Sequence, residues 1–171
     1  MLPSLRAYGS DGKVLIAKRS CVTDSLSVQE ELRNILKDAF MRERKLNLLY
    51  TGLIEQESTH SETDQFFEKA REDQGGDLQV LHEINRRYGN DDIDPSVLEK
   101  VGEGILTLRA GRKDRDQLLR QVLEWETELV EVYKQSLRYL SNDDETRKLV
   151  NRILTVKLAH RRELMDKLSM F

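Results

Sequence analysis

Leu36, Glu43 and Tyr50 follow one another at steps of seven residues, and Leu119, Glu126 and Tyr133 repeat the pattern at a constant offset of 83. Seven residues make two turns of an α-helix, so each triplet occupies one helix face. Leu32, Ala39, Leu46 and Leu53 extend the first stripe, and Val122, Leu129, Leu137 and Leu140 the second, at steps of three and four that a strand does not produce. A glutamate in the middle of an apolar face is costly to bury. Its placement twice at the same depth points to a duplicated helical hairpin rather than two unrelated amphipathic helices.

The rest of the chain fits that duplication. A second helix is expected from Glu62 to Tyr88, presenting Phe66, Ala70, Leu81 and Ile84, with a kink or local widening at Gly75-Gly76. A fourth begins at Asp143-Asp144-Glu145, whose charge suits a helix N-terminus, and presents Leu149, Ile153, Val156, His160 and Leu164. The same offset maps Phe66 to Leu149, Ala70 to Ile153 and Leu81 to Leu164. Between the halves, Gly89 to Lys113 reads as a long connection with one short helix starting at Asp94-Pro95-Ser96. Before them, Leu5 to Ala17 reads as a short hairpin turning at Gly9-Ser10-Asp11-Gly12. The expected fold is all-α: an N-terminal extension over 1–26, then an antiparallel four-helix bundle over 27–171 with a long crossover between helices 2 and 3. Each helix should run about 27 residues, about 40 Å.

Composition agrees and narrows the function classes. Apolar residues make up 38% and charged residues 35%, with two prolines, a balance suited to amphipathic helices. A formal charge of −3 gives no general attraction to nucleic acid, and the basic run Arg109 to Arg115 is weak. No apolar run reaches the roughly 20 residues of a membrane span, and the N-terminus has no signal-peptide core, so the expected location is the cytoplasm. The single cysteine, Cys21, cannot close an internal disulfide. No phosphate-binding glycine loop or Ser/His/Asp set is present.

The repeated Leu-x6-Glu-x6-Tyr, together with the tail Ile153 to Leu164 around His160, resembles the rubrerythrin-like branch of the ferritin-like superfamily over Ser27 to Leu168. In that family the second helix of each hairpin supplies Glu-x-x-His to a pair of iron or manganese ions. The resemblance therefore implies Glu43, Glu126 and His160 as metal ligands, with Asp77, Asp73 or His82 as substitutes for what is missing. Neither Glu-x-x-His copy is intact: Lys157 stands before His160, and the repeat places Gln74 and Asp77 at the matching positions of the second helix. An ammonium opposes the anionic balance two divalent ions need. Lys157 is instead expected to pair with Glu43 or Glu126.

Each residue also has a plainer reading. A small rotation would carry Glu43, between Arg42 and Arg44, to a solvated edge. Tyr50 and Tyr133 read as core aromatics with hydrogen-bonded hydroxyls, His82 as a boundary histidine, and His160 as either a ligand or a core histidine. Two functions follow. The first is a bundle with an eroded di-metal site acting by interaction or self-association, a homo-oligomer included. The second is a rubrerythrin-like oxidoreductase binding iron or manganese. No catalytic residue is assigned.

Overall fold

The computed structural model describes residues 9–56, 62–91, 93 and 115–169, and side chains within 26–54, 65–91, 93 and 117–169. Four helices account for nearly all of it: α1 (Gly9–Gln56), α2 (Glu62–Arg87), α3 (Arg115–Tyr139) and α4 (Asp144–Ser169). They form a ring in which α1 packs against α2 and α3, and α4 against the same two. Pairs across the seams give the directions. Asn47 bonds to the Arg71 carbonyl and Asn85 to that of Leu36, so α1 and α2 are antiparallel. Tyr50 meets Glu126 and Tyr133 meets Glu43, so α1 and α3 are antiparallel too. Thus α2 and α3 run the same way on opposite corners, and the long connection between them joins opposite ends of the bundle.

Buried positions repeat at the offset read from the sequence: Leu36 and Leu119, Leu46 and Leu129, Tyr50 and Tyr133, Ala70 and Ile153, Leu81 and Leu164 are all without appreciable exposure. Caps fix the helix ends. Asp143 Oδ1 accepts from the Thr146 amide at 3.0 Å, the N-cap of α4, and Asp144 and Glu145 in its first turn complement the dipole. At the end of α2, Gly89 takes φ 77°, which lets its amide reach the Arg86 carbonyl and the Asn90 amide that of Asn85. Arg33 locks this turn to α1 by donating to the Gly89 carbonyl at 2.7 Å.

Two expectations need correction. Gly9 to Ala17 is not a hairpin but the start of α1, a helix of 48 residues. Two short strands are marginal with nothing to cover them, whereas each residue added to an existing helix gains a hydrogen bond. Leu5 to Tyr8, the expected short helix after Asp94 and the basic run up to Lys113 lie outside the described residues. Helix α2 runs unbroken through Gly75-Gly76. What Gly76 leaves is a groove of about 350 Å³ between α2 and α4, bordered by Asp73, Asp77, Val80 and Ile153. Finally, the buried face of α4 is rotated from the expected stripe. Val150, Ile153, Lys157, His160 and Leu164 are buried, while Leu149 and Val156 are only partly so. The innermost position between Ile153 and His160 belongs to a lysine.

Candidate functional site

The seven-residue step puts a glutamate and a tyrosine two turns apart on α1 and on α3, and antiparallel packing then sets each tyrosine opposite the other helix's glutamate. Tyr50 Oη donates to Glu126 Oε1 at 2.9 Å, and Tyr133 Oη to Glu43 Oε1 at 2.7 Å. All four side chains are unexposed. Burial, reinforced by the adjacent carboxylates, pushes both phenols well above their ordinary pKa, so they act as fixed donors.

The pseudo-twofold breaks at the second ring of residues. Gln74 and Lys157 are equivalent by the repeat, yet both donate to one oxygen: Gln74 Nε2 lies 2.9 Å and Lys157 Nζ 2.7 Å from Glu43 Oε2. Lys157 reaches this atom across the diagonal of the bundle, since α1 and α4 share no seam. Glu43 thereby accepts three hydrogen bonds. Burial alone would lower the pKa of Lys157, but Glu43 and Glu126 outweigh it and hold the ammonium above its ordinary value. Glu126 is served differently. Its Oε1 lies 3.4 Å from His160 Nδ1, and its Oε2 is buried without a partner. His160 Nε2 lies 3.2 Å from Asp73 Oδ2, and its ring stands edge-on to Phe66.

Asp77 is the odd charge. It is 8% exposed, and its Oδ2 lies 3.9 Å from Lys157 Nζ and has no hydrogen-bond partner. Burial raises its pKa from 3.8 to about 7; Glu43 and Asp73 add to the rise, while Lys157 and His160 oppose it. Between these two values the folded chain holds a proton that the unfolded chain has released. The stabilising share of this group is therefore complete below about pH 3.8 and lost as pH rises through 7. Asp77→Asn should leave stability nearly unchanged at pH 4 and raise it by about 2–4 kcal/mol at pH 8. Urea denaturation of both chains across that range measures the difference; equal midpoints at pH 8 would mean that Asp77 is well solvated.

Of the residues expected at a metal centre, Glu43 and Asp77 lie against Lys157, Glu126 supports its charge, and His160 lies against Glu126. His82 does not join them: it is exposed on α2, 6.2 Å from the Phe40 ring. Two donors missing from that ligand set, Gln74 and Lys157, complete the cluster. Their signal was the repeat itself, which aligns them with each other. As a metal site the donor set fits poorly. Lys157 and Gln74 both donate to Glu43 Oε2, a cation and a neutral amide at an oxygen a metal would need, and no three acidic, histidine or cysteine side chains among the described residues are arranged to hold an ion. Comparison with protein family models, curated proteins and solved structures found no match.

Proposed function

We propose that this chain is a ferritin-like bundle whose central carboxylate site is neutralised by its own lysine, and that it acts through its surface, by interaction or self-association, rather than by chemistry at a metal. The observation supporting this most directly is the Lys157 to Glu43 contact of 2.7 Å between two side chains without exposure. At that position the rubrerythrin-like pattern expects a glutamate ligand. An ammonium there supplies the positive charge two buried carboxylates require, in the place a divalent ion would supply it. Both tyrosines are committed to carboxylates, and the groove at Gly76 is bordered by Asp73 and Asp77 rather than opening on Glu43 or Glu126.

Protein purified from cells grown with added iron and manganese should carry substoichiometric metal, and its melting temperature should not respond to either ion. One or two equivalents of bound metal with a redox-linked absorption change would overturn this reading in favour of an iron- or manganese-dependent oxidoreductase.

A further inference from the structure

Helix α1 is far longer than the bundle needs. The Arg33 to Gly89 contact and the first core residue, Leu32, mark the level at which the bundle ends. From there α1 continues toward its N-terminus; residues 9–27 alone make about 28 Å of helix. Residues 26–31 are exposed, with Leu26 at 60% and Val28 at 44%. At the root of this projection lies a mainly apolar groove of about 440 Å³, bounded by Val28, Leu32, Tyr88, Tyr139 and Asp143. An isolated helix of this length is marginal in water, and residues 26–31 at its root are open to a partner.

Its charge pattern selects the partner. Over residues 9–22 three bases, Lys13, Lys18 and Arg19, face one acid, Asp11; over 23–31 there are three acids, Asp24, Glu30 and Glu31, and no base. Two parallel copies would set like charge against like. Two antiparallel copies set the basic half of each against the acidic half of the other, and a single register brings Lys13 level with Glu31 and Arg19 near Asp24 of the second chain. That register also brings the apolar run Val14-Leu15-Ile16-Ala17 to the level of Leu26, Val28 and the groove beside Leu32. Such pairing is self-complementary about a twofold axis and closes at two chains. We infer that the N-terminal part of α1 is a dimerisation arm whose partner is the same arm of a second copy, packed antiparallel. This rests on the surface-acting role proposed above and names its partner.

Sedimentation equilibrium of the full chain tests it. The expected mass is twice 20.0 kDa at low salt, with a dissociation constant that rises with ionic strength. The triple change Lys13→Glu, Lys18→Glu, Arg19→Glu makes the arm acidic throughout, and Asp24→Lys, Glu30→Lys, Glu31→Lys makes it basic but for Asp11. Each should weaken self-association by at least about 100-fold, and mixing the two should restore a dimer containing one of each. Glu30 and Glu31 are exposed, and unchanged helical circular dichroism confirms that each variant folds. A wild-type chain that stays monomeric at 100 µM overturns the inference, as do swapped chains that each pair as tightly as wild type or that fail to pair when mixed. None of these results touches the metal measurement, which tests the parent reading separately.

Discussion

Lys157→Met should lower the stability of the fold by about 3–5 kcal/mol at pH 7, and adding Glu43→Gln should recover most of that loss. Methionine matches the lysine stem in volume, so little cavity is made. The loss comes from charge. Glu43 keeps the hydrogen bonds from Tyr133 and Gln74 but loses the ammonium in contact with it, in an interior that also contains Glu126 and Asp77. A carboxylate without counter-charge at zero exposure is among the costliest arrangements a core can contain. Glutamine at position 43 removes the charge while keeping a side chain of the same shape, and in the double variant neither member of the pair is charged. Glu43→Gln alone should cost less than Lys157→Met, because Glu126 remains to support the Lys157 charge and Asp77, 3.9 Å away, is partly ionised. Urea denaturation of the four chains gives a double-mutant cycle whose coupling should exceed 2 kcal/mol. If Lys157→Met lies within about 1 kcal/mol of wild type, the ammonium is solvated and the central network does not exist as described.

The architecture was legible because it rests on apolar periodicity. Leu32, Leu36, Ala39, Leu46 and Leu53 on α1, Leu119, Val122 and Leu129 on α3, and Leu140 just past its end are buried as the stripes required, while Leu137 is half-buried. The site was legible only in part, because its members are residues that periodicity treats as surface. On α4 the apolar positions Leu149 and Val156 pulled the expected face away from Lys157, and only alignment of the two halves showed that Lys157 occupies the place of Gln74. Nothing along one helix could reveal that Lys157 spans the diagonal to Glu43 instead of bonding Glu126 in its own half. That choice depends on the reach of a four-carbon stem across a ring of four helices. Similarly, Tyr50 and Tyr133 read as core aromatics, and their exchange of carboxylates follows from antiparallel packing of α1 on α3. The hairpin at Gly9-Ser10-Asp11-Gly12 failed because a local turn signal says nothing about the helix that propagates through it.

Lys157→Glu should be more damaging than Lys157→Met in the absence of metal and should be the one variant that metal rescues. It replaces the ammonium with a third buried carboxylate beside Glu43 and Glu126, and Asp77 loses the cation that opposes its pKa rise. Like charges in a poorly solvated site raise one another's pKa, so the variant binds protons on folding and its deficit relative to wild type narrows as pH falls. A loss of about 4–6 kcal/mol corresponds to a melting temperature lower by about 10–20 °C for a domain of this size. The same change writes Glu-x-x-His at positions 157 and 160 and frees Glu43 Oε2 of its strongest donor. Iron or manganese then meets carboxylates where wild type offers an ammonium. An ion at 100 times its dissociation constant should return about 2.7 kcal/mol by binding the folded chain alone. Melting curves of wild type and variant, each with and without added ion, separate the possibilities. If charge replacement is the reason for the lysine, metal stabilises the variant and leaves wild type unmoved. A wild type that gains several degrees from metal, or a variant that gains none, would mean that Lys157 is not standing in for an ion.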